Sequence, residues 1–165
     1  MTGFDSQVME SSWIDPFSHV GSYCYIGRNC NLTEVTVRNY CAIANNVSIA
    51  QGDPDLHKVS TSSIFYPNAY GDLTSSDCIV GNDVWIGTDV VILRGVAGGN
   101  GCVVDAGAVV TNDVPDFAVA VGVSAKVIKC RFSSDVAERI KATQWWSLPP
   151  GKSSKVIADL HEEIL

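Results

Sequence analysis

The sequence predicts an all-β solenoid, in which short strands stack into one continuous coil. Aliphatic side chains recur every six residues in two blocks, and small side chains recur in a second phase of the same repeat. An irregular segment that abandons the repeat separates the two blocks. Neither the 3.6-residue period of a helix nor the two-residue alternation of an ordinary strand sustains a six-residue spacing.

The six-residue repeat defines the strands. A period of six is typical of solenoids in which each unit forms one short strand and a turn, and three units close a triangular coil. The aliphatic side chain of each unit is therefore expected to point into the coil. These positions are Ile14, Val20, Ile26, Leu32, Val37, Ile43 and Ile49, then Val80, Ile86, Ile92, Gly98, Val104 and Val110.

The cysteines follow the second phase of the repeat. The position four residues after each aliphatic side chain is also expected to point inward, with room for a small side chain. Free cysteine fills such positions well. The chain has no CxxC pair of the kind that binds zinc or that forms a redox-active disulfide. We therefore predict five structural thiols and assign no role to Cys130. The five are Cys24, Cys30, Cys41, Cys78 and Cys102.

The breaks in the repeat divide a single predicted domain, residues 1–165. A first β-helix block covers residues 8–51, and a second block with an end strand covers 79–131. Between them, residues 52–78 are rich in turn formers and are expected to protrude as a loop, a type of segment that often carries function. Residues 132–165 predict C-terminal helices that cap the open end of the solenoid, where strand edges would otherwise be exposed.

Charge and composition exclude several classes of protein. The chain has 18 acidic and 11 basic side chains and a formal net charge of −7, which argues against sequence-independent nucleic-acid binding. No run approaches the roughly 20 apolar residues of a membrane span, and no basic-then-apolar segment opens the sequence, so a cytoplasmic protein without membrane contact is expected. Residues 1–125 carry 4 basic and 13 acidic side chains, whereas residues 126–165 carry 7 basic and 5 acidic. The basic C-terminal part is the expected place for a phosphorylated ligand.

Four segments together resemble a known family. They are the string 81–87 (GNDVWIG), the string 109–115 (VVTNDVP), the string 125–129 (AKVIK) and the pair Trp145-Trp146. With the repeat, these segments resemble the hexapeptide-repeat acyltransferases. The order of repeat, histidine-bearing loop, repeat and Trp-Trp segment is most similar to the xenobiotic acetyltransferase branch, which includes the type B chloramphenicol and streptogramin acetyltransferases.

The resemblance implies a left-handed parallel β-helix, a homotrimer, and acetyl-CoA bound as co-substrate between adjacent subunits. It also implies direct transfer of the acetyl group to a hydroxyl of a small-molecule or carbohydrate acceptor, such as a sugar, a polysaccharide precursor or an antibiotic. In the family a loop histidine is the general base, and the loop of this chain contains one histidine, His57. An imidazole suits this step because it accepts a hydroxyl proton near neutral pH.

Further site residues follow from the same resemblance. Trp85 is expected to support the histidine, with a corner or interface position as the alternative. Asn82 is expected to reach the acceptor, although asparagine is also common in turns. Small residues that would let the cofactor approach the backbone, or that simply suit solenoid corners, are Gly98, Gly99, Ala106 and Gly107. Basic residues that would meet the cofactor phosphates, or remain solvated, are Lys126, Lys129 and Arg131.

Other functions remain open from the sequence. An N-acetyltransferase acting on a sugar-nucleotide amine would use the same base, and a serine O-acetyltransferase-like enzyme would share the repeat. No metal is expected, because His19, His57 and His161 are not spaced as a three-histidine zinc site. The non-enzymatic alternative is a trimeric β-helix that serves as a scaffold or binding module.

Overall fold

The computed structural model describes residues 1–164, and Leu165, the last residue of the predicted helical segment, lies outside the described residues. The strands before the interruption are β1 (Gln7–Val8), β2 (Trp13–Ile14), β3 (His19–Val20), β4 (Tyr25–Ile26), β5 (Asn31–Leu32), β6 (Val35–Val37), β7 (Ala42–Ile43) and β8 (Ser48–Ile49). Those after it are β9 (Cys78–Val80), β10 (Trp85–Ile86), β11 (Val91–Ile92), β12 (Ala97–Gly98), β13 (Val103–Val104), β14 (Val109–Val110), β15 (Ala118–Val121) and β16 (Lys126–Cys130). The α-helices are α1 (Ala69–Leu73), α2 (Ser134–Thr143) and α3 (Pro150–Ile164).

From β1 to β14, each strand pairs in parallel with the third strand along the chain, and the coil forms three sheets over about six turns. The first sheet has the order β1-β4-β7-β10-β13-β15-β16, the second β2-β5-β8-β11-β14, and the third β3-β6-β9-β12. The register continues across the interruption, since Ala42 pairs with Trp85 and Ser48 pairs with Val91. The predicted parallel β-helix is therefore confirmed.

Two corners of the triangular coil carry the segments that lie outside the repeat. The loop corner joins the second sheet to the third and comprises residues 15–18, 33–34, 50–77, 93–95 and 111–113. The ladder corner joins the third sheet to the first, and its residues are 21–24, 38–41, 81–84, 99–102 and 115–117.

The interior contains the two predicted phases of the repeat. From β3 to β14, the aliphatic side chains in the predicted phase, such as Ile43 and Ile86, are between 0% and 6% exposed. The five cysteines of the second phase are between 0% and 3% exposed, whereas Cys130 is exposed. The prediction of cysteine as interior filler is therefore confirmed.

Burial makes the reactivity of the six thiols testable. Burial raises the pKa of Cys102 to about 12 and that of Cys78 to about 11, and only a thiolate attacks a thiol reagent. At pH 8 the native protein is expected to react rapidly at one thiol, Cys130, and the unfolded chain at all six. Cys130→Ser should remove the rapid phase. Fast labelling of two or more thiols in the native state would contradict the interior position of the others.

The ladder corner is held by a chain of side-chain amides and one carboxylate. The side-chain oxygen of Asn82 accepts from the backbone N–H of Asn39 at 3.1 Å, and that of Asn100 accepts from the N–H of Asn82 at 3.0 Å. Asp116 continues the series by accepting from the N–H of Asn100 at 2.7 Å. Each side chain thus satisfies a corner N–H of the preceding coil, which ties successive coils together.

The C-terminal helices form as predicted, but their position differs from the predicted cap. They lie along the ladder corner, where Tyr40 donates from its hydroxyl to Leu148 O at 2.6 Å and Asn39 donates to Trp146 O at 3.1 Å. The physical reason is that the corner displays the rings of Tyr40 and Phe117, which the segment 132–156 covers. The last edge of the first sheet is covered instead by β16, which pairs antiparallel with β15.

Within residues 1–164, no helix combines the length and the apolar character needed to cross a membrane.

Candidate active site

The insertion between β8 and β9 forms a folded loop rather than an open one. It contains a short 3-10 helix, Ser63–Phe65, and helix α1. Near its base the N–H of Asp53 donates to Leu73 O at 2.8 Å, which brings the two limbs of the loop together. Gly52 also lies there, and a Cβ at this position would come within 3.2 Å of the Leu73 Cβ.

His57 lies in a tight turn on the outer limb of this loop. Its backbone N–H donates to the Asp55 carboxylate at 2.9 Å, and the N–H of Lys58 donates to Asp55 O at 3.2 Å. The Tyr66 hydroxyl accepts from the N–H of Asp55 at 2.9 Å, and the Lys58 ammonium stands 3.7 Å from the centre of the Tyr66 ring. The imidazole is exposed and makes no hydrogen bond within residues 1–164, so it is free to meet a ligand.

The base of the loop is held by a guanidinium. Arg94 donates from Nη1 to Glu34 O at 3.0 Å and to Ser76 O at 3.2 Å. From Nη2 it donates to Thr33 O at 2.6 Å and also to Ala50 O. Ala50 and Ser76 lie at the two ends of the insertion, so one side chain binds both ends.

Helix α1 is tied to the first coil by a buried carboxylate. Tyr70 donates from its hydroxyl to Asp15, which is 5% exposed and also accepts from the N–H of Ser18 at 2.7 Å and the N–H of Glu34 at 3.0 Å. Burial acts to raise the pKa of Asp15, but these hydrogen bonds together hold it below its ordinary value. Burial and the neighbouring carboxylate raise the pKa of Tyr70. Asp15 is therefore an ionised acceptor at neutral pH, and Tyr70 is its donor.

Within one chain, Trp85 and His57 lie on different sides of the coil. It lies on the outer face of the first sheet, between Ala42 and Val103 of the adjacent strands, and is 44% exposed. The loop leaves the corner between the other two sheets, which is the corner opposite the first sheet in a triangular coil. The outer face of the first sheet thus points away from the corner that carries His57.

The structure places Asn82 in the ladder corner, where it is 7% exposed. Its side-chain oxygen accepts from Asn39, and its amide donates to Asn100 at 2.8 Å. These bonds account for an asparagine at this position without an acceptor, so its predicted contact with an acceptor stays a prediction.

The four small residues predicted at the cofactor site fall into two pairs. A Cβ on Gly98 would lie 3.5 Å from the Cys102 sulfur, and one on Gly99 would lie 2.4 Å from Asp116 N. Only the second distance is a clash, so packing against the neighbouring coil requires a glycine at position 99 and not at position 98. Ala106 and Gly107 are exposed, and a Cβ on Gly107, whose φ is +70°, would meet nothing within 4 Å. This second pair leaves an open backbone surface at the corner between the first two sheets.

The three basic residues near the C-terminus also differ from one another. Arg131 donates to Gly101 O at 2.7 Å and lies 3.6 Å from the Asp83 carboxylate, so it joins the end strand to the ladder corner. Burial raises the pKa of Asp83, although Arg131 opposes this change. Lys126 and Lys129 are exposed on β16 and form no ion pair within 4 Å among the described residues. Of the three, these two lysines are the ones available to a phosphate.

Two surface cavities lie elsewhere. One of about 280 Å³ opens between the C-terminal helices and the ladder corner, and its lining includes Asp83, Trp145 and His161. The other, of about 270 Å³, is lined by residues that include His19 and Asn82. Neither is lined by a residue of the loop, so neither surrounds His57. Among residues 1–164, no three His, Cys, Asp or Glu side chains are grouped closely enough to hold a metal ion.

Comparison with known proteins gives relatives of one kind. The galactoside O-acetyltransferase of Escherichia coli K12 is 38% identical over 135 residues, a match that covers 74% of this chain and 62% of that protein. A chloramphenicol acetyltransferase of Agrobacterium fabrum is 31% identical over 126 residues, covering 70% of this chain and 60% of the relative. The chain is similar in sequence to these acetyltransferases, and its solenoid is the fold of the hexapeptide-repeat acetyltransferases.

The fold agrees with this similarity to acetyltransferases. A solved structure of a galactoside acetyltransferase in complex with coenzyme A superposes with a TM-score of 0.58 at 29% identity, covering 80% of this chain and 68% of that one. The shared architecture is the left-handed β-helix implied by the sequence motifs. No protein-family model matches the chain. The chain spans about three fifths of the length of the two curated relatives described above.

The sequence motifs do not identify Arg94, Asp15 or Tyr70 as residues of the site. One signal was present, because Arg94 is one of only four basic residues in the acidic segment 1–125 and stands at a solenoid corner. Its partners are backbone carbonyls of three separate segments, and their proximity depends on how the loop folds.

Proposed function

We propose that the chain is an acetyl-CoA-dependent O-acetyltransferase, that it acts on a hydroxyl of a sugar, a polysaccharide precursor or an antibiotic-like molecule, and that His57 is its general base. The observation that carries the proposal is an exposed histidine on a folded loop of a β-helix whose relatives are acetyltransferases. The names of two relatives favour a hydroxyl over an amine, since one is a galactoside O-acetyltransferase and another a putative lipopolysaccharide biosynthesis O-acetyltransferase.

The chemistry needs one proton acceptor and one activated acyl group. Acetyl-CoA supplies a thioester, and the imidazole of His57 accepts the proton of the acceptor hydroxyl as its oxygen attacks the acetyl carbon. The new bond is an oxygen ester, the bond that breaks joins carbon to sulfur, and the proton passes to the departing thiolate. General-base catalysis of this kind contributes about 10²–10⁴-fold to the rate.

The cofactor is proposed to lie over the corner that exposes Ala106 and Gly107. An open backbone without bulky side chains lets an extended thiol-bearing arm approach closely. Lys126 and Lys129, on the adjoining end strand, are unpaired cations that suit its phosphate groups. Gly99 and Arg131 have structural partners in this fold, and Gly98 lies on β12 in the third sheet, so the proposal does not depend on these three residues.

The proposed site is shared between subunits of a homotrimer. Trp85 faces away from the loop corner of its own chain, so a contact with His57 requires the loop of a neighbouring copy. Apolar side chains are exposed on the loop, with Ile64 at 79% and Phe65 at 68%, and Tyr25 and Trp85 are exposed on the first sheet. Exposed apolar surface of this kind marks an interface. The proposal places the protein in the cytoplasm, together with its co-substrate.

The experiment measures CoA release with a thiol reagent while acetyl-CoA is incubated with galactosides, chloramphenicol, amino-sugar nucleotides or L-serine. We expect turnover with an acceptor whose only nucleophile is a hydroxyl, in a preparation whose mass by light scattering is that of three chains. Turnover only with an amino-sugar nucleotide would indicate an N-acetyltransferase, and turnover only with L-serine a serine acetyltransferase. With no turnover and no increase in melting temperature on adding CoA, the scaffold alternative would hold.

A further inference from the structure

We propose that Arg94 and the Asp15–Tyr70 pair are positioning residues that fix the loop, and with it His57, in the geometry that acetyl transfer requires. The catalytic part of this inference rests on the proposed function, whereas its structural part does not. Neither Arg94 nor Tyr70 is expected to touch the substrate. They act through the backbone of residues 50–77.

The first argument is that the insertion interrupts the hydrogen bonding of the coil and that Arg94 supplies donors at the interruption. At the loop corner the third coil does not turn directly from β8 to β9, because residues 50–77 leave the coil there. The carbonyls of Ala50 and Ser76, and those of Thr33 and Glu34 in the coil below, consequently need donors. Arg94 comes from the coil above and donates to all four. The bonds to Glu34, Thr33 and Ala50 are partly buried, so without Arg94 these three carbonyls would lose a donor where water has little access.

The second argument is that this arrangement needs a guanidinium. Two terminal nitrogens in one plane each bond two carbonyls, which matches the fixed fork of arginine and not the single ammonium of lysine. Arg94 forms no ion pair within 4 Å in the described part of the chain. Its hydrogen bonds in this part of the chain all go to backbone carbonyls. In addition, Gly95 follows with a φ of +80°, which turns the chain back into the coil directly after the arginine.

The third argument is the independent anchor on α1. The Tyr70 hydroxyl reaches past the second coil to Asp15 in the first, and the Tyr70 ring lies 5.1 Å from that of Phe17. Thr74, which is 6% exposed, donates from its side chain to Tyr70 O at 2.8 Å and closes the helix. The C-terminal part of the loop, residues 70–76, is thus fixed at Tyr70 and again at Ser76.

The fourth argument connects these anchors to the imidazole. Leu73 lies between Tyr70 and Ser76, and its carbonyl accepts from Asp53 N–H at 2.8 Å. The Tyr66 hydroxyl accepts from Asp55 N–H, and the Asp55 carboxylate accepts from His57 N–H. These hydrogen bonds and the short stretches of chain between them connect residues 70–76 to the turn that carries His57. A displacement of about 1 Å at a catalytic group is enough to cost about 100-fold in rate.

The test compares Arg94→Lys and Tyr70→Phe with the matched control Arg28→Lys. Arg28 is an exposed arginine whose ion pair with Glu10, at 3.2 Å, is far from the loop. In Arg94→Lys we expect hydrogen exchange at the amides of Asp53 and His57 to accelerate at least 10-fold, and tryptic cleavage after Lys58 to accelerate similarly. We expect kcat to fall about 10- to 100-fold with less than a two-fold change in KM for acetyl-CoA. Tyr70→Phe should give a smaller change of the same kind, and Arg28→Lys should give none.

The outcomes separate this inference from the proposed function. Unchanged exchange and cleavage in Arg94→Lys would overturn it, as would a loosened loop with an unchanged kcat. If the unmodified protein transfers no acetyl group to any acceptor, the proposed function fails, and exchange at Asp53 and His57 alone decides whether Arg94 fixes the loop. A melting temperature close to that of the unmodified protein shows that Arg94→Lys has kept its fold.

Discussion

Replacing His57 by alanine is expected to lower kcat for acetyl transfer by about 10²–10⁴-fold, because no other imidazole lies in the loop to accept the hydroxyl proton. The side chain is exposed and makes no hydrogen bond within the described residues, so its removal should leave folding unchanged. KM for acetyl-CoA and the melting temperature should therefore stay close to those of the unmodified protein. The measurement is the initial rate of CoA release at saturating acetyl-CoA.

The control for this prediction is His161→Ala, an exposed histidine on α3. It should retain full activity, which separates the loss of the base from the general loss of an imidazole. If His57→Ala transfers acetyl at the rate of the unmodified protein, His57 is not the base. Two carboxylates of the same loop, those of Asp53 and Asp55, would then be the groups to replace next.

Ile43→Ala is expected to lower the free energy of unfolding by about 2–5 kcal/mol. Ile43 is 0% exposed and stands in register between Ile26 and Ile86 on the first sheet. The strand hydrogen bonds fix the spacing of these coils, so the interior has little freedom to collapse into the cavity. Denaturant unfolding at one fixed chain concentration measures the change, since the stability of an oligomer depends on concentration.

The matched control is Ile128→Ala on β16, where the side chain is 59% exposed. Removing the same atoms from an exposed position should cost much less, because little apolar surface is buried there. Equal losses in the two variants would show that the repeat phase does not determine which side chains form the core.

The repeat could be read from the sequence because a solenoid brings the same phase to the same place in every coil. One rule therefore assigned Ile43, Ile86 and Cys102 to the interior, and the structure places them there. The rule also explains why Cys130, outside the repeat, is exposed.

The structure of the loop and the position of the C-terminal helices could not be predicted from the repeat. The loop has no period, and the bonds of Arg94 join segments that are separated by up to 61 residues. The position of the helices depended on Tyr40, whose ring is projected outward from a corner with a φ of +61° and packs 5.1 Å from Trp145. The six-residue repeat identifies side chains that point into the coil. Tyr40 points outward from the ladder corner, so the repeat does not predict its contact with the helices.

The bonds of Arg94 to Ala50 and Ser76 have a consequence for how such a chain diversifies. Both ends of the insertion meet on one guanidinium, so the intervening residues begin and finish at nearly the same point. Chain inserted between closely spaced ends tolerates changes of length and sequence at a modest entropic cost. We therefore expect that the insertion can change in length and sequence while the sequence of the β-helix core stays the same.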